Sequence, residues 1–415
     1  MFIINAFIFL IFILCVLMVG TLALQILAAL FNSDKPKSSR NVLRRETSVA
    51  VLIPAHNEAN VIENTVKGIL TQLTEQDRLI VVADNCEDNT AEIAEKAGAE
   101  VIERKAEVLR GKGYALDFGI KYLQEIPPDA VIIIDADCEV GVGGINQLAV
   151  MTLKHDCPIQ ALYLMENVQG ATLKQKVAEF AFLVKNYVRP LGMKMFGFPC
   201  QLMGTGMAFP WHVIKSSDLA NGNIVEDMKM GVDLILVGKP ALFYPDVKVT
   251  SLFPTENIVV TNQRKRWEHG HLEMILTQTP LLLFKGIKQL NFKLIMFSLD
   301  LAVLPLALLS ILLFCFTLST MIMSMLEGAA FYGAAFFIMT LIFTASVLVA
   351  WHQFGRNILT AKDLLAIPFY IISKLPLYLG FVTNKQSDWV KTKREENNKM
   401  DPDKNTSLNN RDKGL

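Results

Sequence analysis

The chain has no excess of either charge and no closely spaced cysteine pair. Its 415 residues include 40 basic and 40 acidic side chains, so the formal net charge is zero and nothing points to nucleic acid as a partner. The six cysteines are scattered and form no CxxC pair, which argues against a zinc site and against a disulfide framework. This cysteine usage fits a reducing, cytosolic environment.

Two common nucleotide-binding motifs are also missing. No GxGxxG sequence follows the first predicted strand, Val49–Pro54, which argues against a nicotinamide or flavin dinucleotide. The segment Gly111-Lys-Gly113 is not a P-loop, because it lacks the upstream glycine and the following Ser or Thr. Two interpretations of this segment stay open: its glycines shape a turn beside a solvated lysine, or Lys112 faces a phosphate group.

Long apolar stretches are abundant instead, and 52% of the residues are hydrophobic. Residues 2–31, about 294–325 and 329–351 are nearly uncharged, and each stretch exceeds the about 20 residues that cross a bilayer core. The first stretch lacks a basic n-region and is too long for a signal peptide, so it predicts a retained anchor.

The lysines and arginines that flank these stretches predict an orientation. The segment after the first stretch is basic, three lysines precede the second, and the loop before the third holds only Glu327 as a charged residue. Because basic residues favour the cytoplasmic side, residues 32–293 are predicted to be cytoplasmic, in an integral protein of the plasma or inner membrane.

The segment 363–383 is ambiguous. It contains Pro368, Lys374 and Pro376, and a basic stretch follows it. A third C-terminal crossing would put that basic tail outside, so the charge rule favours a re-entrant or interfacial segment, with the crossing kept as the alternative. Residues 395–415 are polar and are predicted to be disordered.

Residues 48–137 alternate between strand and helix patterns. This alternation predicts a parallel α/β sheet whose strand C-termini meet at one binding edge. The predicted strands are Val49–Pro54, Arg78–Ala83, 100–103 and Ala130–Asp135, and the predicted helices are Ala59–Leu73, Thr90–Ala97 and Gly113–Leu123.

Asp135 and Asp137 stand at the end of the last of these strands. Two carboxylates there can hold a divalent cation, which in turn neutralises a diphosphate. The alternative is that they cap a turn or the next helix. Acidic residues also follow the strands at 55–58 and 84–90. Like charges gathered at one edge repel unless a cation or ligand compensates them, which favours binding.

Several segments occur in the order and at the spacing of a known family. They are Pro54-Ala-His-Asn-Glu58, the Val81–Thr90 stretch, Gly111-Lys112, Asp135-Ala-Asp137, Val225-Glu-Asp227 and Gln263-Arg-Lys-Arg-Trp267. The first four resemble the donor half of a family-2 glycosyltransferase with the nucleotide-diphospho-sugar-binding (GT-A) fold. Val225-Glu-Asp227 resembles the T/G-E-D motif of the family. Gln263-Arg-Lys-Arg-Trp267 resembles the Q/R-x-x-R-W motif of its processive, membrane-embedded branch, which includes cellulose, chitin, hyaluronan and poly-N-acetylglucosamine synthases. Trp389–Arg394 resembles the W-x-x-T-x-R element of this branch.

The resemblance implies a domain order. The expected units are an N-terminal transmembrane anchor (1–31), a basic linker (32–47), a cytoplasmic GT-A domain with a mostly parallel sheet (48–255), amphipathic interfacial helices with the QxxRW motif (256–293), two transmembrane helices (294–351), a re-entrant or third C-terminal membrane segment (352–384) and a polar cytoplasmic tail (385–415).

The resemblance also implies an inverting transfer, in which an acceptor hydroxyl attacks the anomeric carbon of a nucleotide sugar and the nucleoside diphosphate leaves. It assigns the metal, Mg²⁺ or Mn²⁺, to Asp135 and Asp137, with Asp137 as the more direct ligand, and a uridine nucleotide to the donor site. The donor-binding residues that it implies are Ala55, Asn57, Glu58, Asp84, Lys112, Asp135 and Arg266.

Asp227 is the predicted general base, with Glu226 beside it as an orienting or acceptor-binding partner. The alternative is that both are N-terminal residues of a predicted helix 225–237, where carboxylates are favoured. The two interpretations are compatible, because a helix N-terminus would hold the base in place.

The acceptor is expected to meet Gly204, Thr205 and Trp267. Gly204 and Thr205 lie between the strand-like residues 201–203 and 207–210, in a segment that resembles the acceptor site of processive synthases; a simple tight turn is the alternative. Trp267 offers a stacking face for a sugar and Arg266 a fork for the diphosphate, unless both anchor a helix among lipid headgroups.

The leading hypothesis is a membrane glycosyltransferase that adds a sugar to a growing exopolysaccharide or cell-surface glycan. Transfer of one sugar to a lipid carrier or lipid acceptor is the rival, because three or four spans make only a thin channel unless a partner subunit or homo-oligomer completes it. A membrane scaffold that binds a nucleotide sugar without turnover is the alternative of another class.

Overall fold

The computed structural model describes residues 2–31, 45–168, 170–253, 257–327 and 330–383. The tail 385–415, with its Trp389–Arg394 element, and the linker up to residue 44 lie outside the described residues.

Within the described residues, eight strands form a single sheet in the order β3-β2-β1-β4-β7-β6-β8-β5. The strands are β1 (Val49–Ala55), β2 (Arg78–Asp84), β3 (Glu100–Arg104), β4 (Ala130–Ile133), β5 (Glu139–Val140), β6 (Ile159–Glu166), β7 (Met207–Pro210) and β8 (Leu242–Leu252).

The helices cover both faces of this sheet and continue into apolar segments at both ends of the chain. They are α1 (Phe2–Phe31), α2 (Ile62–Leu70), α3 (Thr90–Lys96), α4 (Lys112–Leu123), α5 (Gly144–His155), α6 (Leu173–Leu183), α7 (Arg189–Met195), α8 (Trp211–Ile214), α9 (Glu226–Leu236), α10 (Asn257–Lys288), α11 (Phe292–Ala302), α12 (Leu306–Glu327), α13 (Ala330–Ala350), α14 (Ala361–Ser373) and α15 (Leu375–Thr383), with π-helical turns at Val184–Val188 and Trp351–Gly355.

The first half of the sheet is parallel, as the strand–helix alternation predicts. Strand β1 pairs with β2 and β4 in parallel, and β2 pairs with β3 in the same way. The reversal comes at β7, which runs antiparallel to both β4 and β6. Parallel strands therefore end together at one edge, beside the point where the strand direction changes.

Strands β1, β2 and β4 are buried on both faces, which explains their nearly continuous apolar content. Leu52 and Ile133 face one apolar cluster, whereas Val51 and Ile132 face the other. Helix α4 lies close on the first face, since a Cβ at Gly119 would lie 2.5 Å from Leu52 Cδ1. Only glycine allows this approach of helix to sheet.

The first apolar cluster does not end at the sheet domain. It includes Leu22 and Ile26 of α1 and Phe336 and Phe343 of α13 together with the strand residues. The sheet domain and the apolar helices consequently share one continuous core, which fixes the position of the sheet edge relative to those helices.

Four helical segments are long and apolar enough to cross a membrane among the described residues: Ala6–Phe31, Leu306–Met325, Phe331–Gly355 and Ala361–Gly380. The stretch 294–325, predicted as one span, is instead divided between α11 and α12. Pro305 explains the break, because it disfavours a helical conformation at the residue before it. The ambiguous segment 363–383 forms α14 and α15, separated at Lys374.

Three further expectations need correction. Residues 201–203 are not a strand, and β4 ends at Ile133, so Asp135 lies in the loop that follows rather than inside the strand. In addition, the predicted interfacial helices of 256–293 are mostly one helix, α10, which begins at Asn257.

Candidate active site

A cavity of about 450 Å³ opens at the carboxyl ends of β1, β2 and β4. Residues with ionisable or polar side chains from separate parts of the chain line it together. The predicted site residues among them are Ala55, Glu58, Asp84, Lys112, Asp135, Asp137, Gly204, Glu226, Asp227, Arg266 and Trp267. Asn57 and Thr205 do not line the cavity.

The Asp135 carboxylate forms an ion pair with Lys112, the first residue of α4. The Lys112 ammonium group also donates to Gly204 O at 2.8 Å, so it joins the loop after β4 to the loop before β7. Burial raises the pKa of Asp135, and the Asp137 carboxylate adds to this effect while Lys112 opposes it. Burial alone would lower the pKa of Lys112, but Asp135 and Glu226 raise it, so the lysine stays charged.

Thr205 does not line the cavity, although it was predicted to contact the acceptor. Its side chain is fully buried, and its Oγ1 accepts the backbone N–H of Asp135 at 3.0 Å. Buried Gln160 holds the same loop, since its Nε2 donates to Thr205 O at 2.9 Å and its Oε1 accepts from Met203 N at 2.8 Å. Thr205 therefore cannot contact an acceptor directly; it fixes the backbone that presents Asp135.

Asp135 and Asp137 offer the donor atoms that a hard divalent cation prefers. Their carboxylate oxygens and Cys138 Sγ lie within 4.8 Å of one another. Burial raises the pKa of the Cys138 thiol well above its usual value. Mg²⁺ and Mn²⁺ prefer oxygen ligands, so the two carboxylates suit them better than the thiol does. The two aspartates fit a metal whose remaining ligands come from water or a diphosphate.

Asp84 is buried at the end of β2 and is held in place from two sides. Arg104 Nη1 donates to Asp84 Oδ1 at 2.6 Å, and Asn85 Nδ2 donates to the same atom at 2.9 Å. The neighbouring backbone oxygen of Asp84 lies 2.6 Å from His56 Nδ1. These contacts give the first two strand ends a fixed arrangement beside Asp135 and Asp137.

Asn57 supports the wall of the cavity. It has a positive φ of 55°, and its side-chain oxygen accepts the backbone N–H of Glu87 at 2.7 Å. Asparagine tolerates this left-handed conformation better than most residues. The side chain thus ties the loop after β1 to the loop after β2.

Glu226 and Asp227 are the first two residues of α9, as predicted from their helix-start pattern. Asp227 Oδ1 accepts the backbone N–H of Met228 at 2.8 Å. Burial, together with the neighbouring Asp227 carboxylate, raises the pKa of Glu226 to about 7. Glu226 can thus retain a proton near neutral pH.

Gly204 stands between the predicted base and Lys112. Its φ is +88°, and a Cβ at this position would lie 3.4 Å from Asp227 Oδ2 and 3.5 Å from Lys112 Nζ. The missing side chain therefore leaves open the space where the base, the lysine and the aspartate loop meet. The positive φ and the nearness of these two side-chain atoms explain why a glycine occupies this position.

Arg266 and Trp267 reach the same cavity from α10. Trp267 packs against Phe182 with ring centroids 6.2 Å apart, and buried Arg266 Nε has no hydrogen-bond partner among the described residues. The side chains of Gln263 and Arg264, in the same motif, lie outside the described set.

Several polar residues of the cavity wall did not emerge from the sequence. They are Lys185, Arg189, Gln201, Glu268, Lys374 and Tyr378. Asp300 also lines the cavity and does have a sequence signal, because a carboxylate inside an apolar stretch usually faces protein or a cavity. Its side chain is in fact buried. The π-helical turn that carries Lys185 has no sequence signature that would have found it.

Comparison with known proteins identifies the family to which the chain belongs. The family model described as "Glycosyltransferase like family 2" matches residues 46–270. A curated relative, 4,4'-diaponeurosporenoate glycosyltransferase of Staphylococcus haemolyticus (strain JCSC1435), is 27% identical over 197 residues, which cover 44% of this chain and 50% of that protein. Poly-beta-1,6-N-acetyl-D-glucosamine synthase of Staphylococcus aureus (strain MSSA476) is 25% identical over 234 residues, which cover 55% of each protein. The matched segment thus spans about half the length of these relatives.

Among solved structures, mannosyltransferase PcManGT from Pyrobaculum calidifontis, in complex with GDP-Man and Mn²⁺, has a TM-score of 0.49 at 14% identity and covers 82% of this chain and 98% of that chain. The predicted GT-A fold, with a mostly parallel sheet and helices that could span a membrane at both ends, is confirmed. Since the matching family model covers more than half of the 415 residues, the chain belongs to glycosyltransferase family 2.

Proposed function

We propose that this protein is an inverting, metal-dependent membrane glycosyltransferase that transfers a sugar from a cytosolic nucleotide-diphospho-sugar to a membrane-associated acceptor. The observation that carries the proposal is that the Asp135–Asp137 pair, the Glu226–Asp227 pair and Arg266 line one cavity. Each pair answers a separate chemical demand of the reaction, and the fold brings them together from distant parts of the sequence.

The first demand is neutralisation of the leaving diphosphate. Asp135 and Asp137 would hold Mg²⁺ or Mn²⁺, which supplies positive charge to the diphosphate when bound. Arg266 brings a further cation with unused donors, and its planar fork suits phosphate oxygens. Asp84, beside the end of β2, is assigned to the nucleoside, and Ala55 and Glu58 to the same donor pocket.

The second demand is removal of the acceptor proton. Asp227 would accept the proton as the hydroxyl oxygen bonds to the anomeric carbon and the bond from that carbon to the diphosphate oxygen breaks. Glu226, with its raised pKa, would hold a proton beside Asp227 near neutral pH. Gly204 provides the approach of the acceptor to Asp227.

Two acceptor classes fit the family. The relatives include a synthase named for poly-beta-1,6-N-acetyl-D-glucosamine and a glycosyltransferase named for 4,4'-diaponeurosporenoate. The first supports a growing exopolysaccharide or cell-surface glycan and thus the processive branch, and the second supports a lipid acceptor. The four apolar helical segments support an integral membrane location with residues 45–253 on the cytoplasmic side.

The test is the release of nucleoside diphosphate from a panel of nucleotide sugars by membranes that contain the protein. We expect release with one donor, its loss on chelation, and recovery with Mg²⁺ or Mn²⁺. Asp227→Asn should lower the turnover by roughly 100- to 10,000-fold while nucleotide binding persists. Asp233→Asn, on the same helix α9 and paired with Lys229 at its surface, is the matched control. Full release by Asp227→Asn would remove the base assignment, and no release with any donor would remove the proposed activity.

A further inference from the structure

The cavity continues past the proposed donor site, between α10 and the C-terminal apolar helices. Besides the proposed donor-site and base residues, its wall contains a polar zone formed by Gln201, Glu268, Lys374 and Tyr378. Glu268 of α10 forms an ion pair with Lys374, which lies between α14 and α15. This ion pair makes the C-terminal apolar helices part of the site.

The polar zone has unused hydrogen-bonding capacity. Gln201 Oε1 is buried and has no hydrogen-bond partner within the described part of the chain. Tyr378 is only 8% exposed, and its hydroxyl interacts with the Glu268 carboxylate. Buried polar groups normally have partners, so the Gln201 oxygen, in the same cavity wall as Glu268 and Tyr378, indicates a polar ligand group at this place.

The far end of the same cavity is apolar. Six side chains of the helices α12, α13 and α14 and of the turn before α12 line it: Leu304, Leu306, Phe343, Val347, Ile367 and Ile371. Ser310 is also there, but its hydroxyl donates to Leu306 O of its own helix at 2.8 Å. This wall therefore offers contact area to an apolar ligand group and little hydrogen bonding.

A polysaccharide does not match a cavity that has a polar zone followed by an apolar end. Its hydroxyl groups recur along the whole chain, and an apolar wall would leave them without partners. An amphiphile does match it, because one end is polar and the other is apolar.

We propose that the acceptor is a membrane lipid with a hydroxyl-bearing headgroup. The headgroup lies in the polar zone with the reacting hydroxyl at Asp227, and the apolar chain lies among α12, α13 and α14. The hydroxyl oxygen bonds to the anomeric carbon, the bond between that carbon and the diphosphate oxygen breaks, and the proton passes to Asp227. This inference rests on the proposed function, since it names the acceptor of that reaction.

The first experiment uses the full chain in membranes of the expressing host with a radiolabelled sugar donor. We expect the labelled product to be extracted into chloroform–methanol. Label in a water-soluble, glycosidase-sensitive polymer would overturn the lipid assignment and leave the proposed glycosyltransferase activity standing. Absence of diphosphate release with every donor would instead remove the proposed function, and the lipid assignment with it.

The second experiment compares two tryptophan substitutions at adjacent positions of α13. Val347 lines the apolar end, whereas Leu348 is 44% exposed on the outside of the helix. Val347→Trp should lower the lipid-phase product by about tenfold or more, because the indole fills the pocket, and Leu348→Trp should not. Both variants are checked for binding of nucleoside diphosphate, which reports an intact donor site. Equal product from the two variants would contradict the proposal.

Tyr378→Phe removes the hydroxyl group and keeps the aromatic ring, so the packing is nearly unchanged. Removal of the hydroxyl should lower the lipid-phase product by about fivefold without a change in nucleotide affinity, because the polar zone around Glu268, and not the donor site, loses a hydrogen-bonding group. An unchanged rate of lipid glycosylation would remove Tyr378, and the polar zone with it, from the acceptor site.

Discussion

Arg189 and Asp300 form a buried ion pair, with Arg189 Nη2 2.8 Å from Asp300 Oδ1. It joins α7, beside the sheet, to α11, before the C-terminal apolar helices. Gln25 of α1 donates to the same carboxylate at 2.7 Å, and Gln201, close to Gly204, donates to Asp300 Oδ2 at 2.5 Å. One carboxylate therefore ties the N-terminal helix, α7 and the Gly204 loop together.

Asp300→Ala should destabilise the protein strongly. The substitution leaves the buried Arg189 guanidinium without its counter-charge, which costs roughly 3–5 kcal/mol. The measurement is the thermal unfolding temperature in detergent. Asp233→Ala, which breaks the more exposed Lys229–Asp233 pair, is the control and should change stability by less than about 1 kcal/mol. Arg189→Met combined with Asp300→Leu should recover part of the loss, and failure to do so would indicate that the Gln25 and Gln201 contacts dominate.

Thr205→Val should weaken metal binding without removing a ligand. The hydroxyl that accepts the Asp135 N–H is lost while the side-chain volume is kept, so the metal-binding loop is less well positioned. Losses of this kind reduce metal affinity about 10- to 100-fold. The measurement is the Mn²⁺ concentration that gives half-maximal diphosphate release. Thr71→Val removes an exposed hydroxyl on the far end of α2 and is the control; equal Mn²⁺ dependence in the two variants would contradict the positioning role.

Gly204→Ala should lower kcat more than donor binding. The backbone has φ of +88°, and the new methyl group would lie 3.4 Å from Asp227 Oδ2. Gly238→Ala is the matched control, because its φ is +79° and nothing lies within 4 Å of a Cβ there. Both variants share a backbone cost of about 1–2 kcal/mol, so a difference in kcat between them measures the crowding at Asp227. Equal kcat values would place the acceptor elsewhere.

Glu226→Gln should change the pH dependence of both activity and stability. The pKa of Glu226 is about 7 in the folded protein and 4.5 as its ordinary value. The folded protein thus keeps a proton that the unfolded chain releases, and the unfolding free energy falls as the pH rises from 4.5 to 7. Glu226→Gln should remove this slope and the ionisation near neutral pH from the rate profile. Thermal unfolding and diphosphate release measured across pH 4.5 to 8 are the tests; superimposable profiles for the two proteins would refute the assignment.

Local patterns in the sequence were sufficient for the first half of the domain. The strand over Val49–Ala55 and the helix over Lys112–Leu123 lie within a residue or two of their predicted bounds. Continuous apolar runs and helix-start residues act over a few positions, so a linear sequence displays them. The same is true of the Asp135–Asp137 pair and of Glu226 and Asp227, whose places follow from the end of a strand and the start of a helix.

Other features depend on residues that are far apart in the chain. Gln25 meets Asp300 across 275 positions, and Lys374 meets Glu268 across 106. No local sequence pattern around these residues predicts which distant residue each one contacts. The role of Thr205 was missed for the same reason, since its neighbour Asp135 lies 70 positions away and only the sheet brings the two loops together.

The sequence by itself determined the alternation of strands and helices, the long apolar segments and the chemical types of the groups at the strand ends, because periodicity and hydropathy are local properties. The tertiary structure alone decided that those groups share one cavity, that Asp300 is buried in a polar network, and that the cavity ends between apolar helices. These are outcomes of packing, in which the free energy of a contact depends on which distant segments the fold brings to the same place.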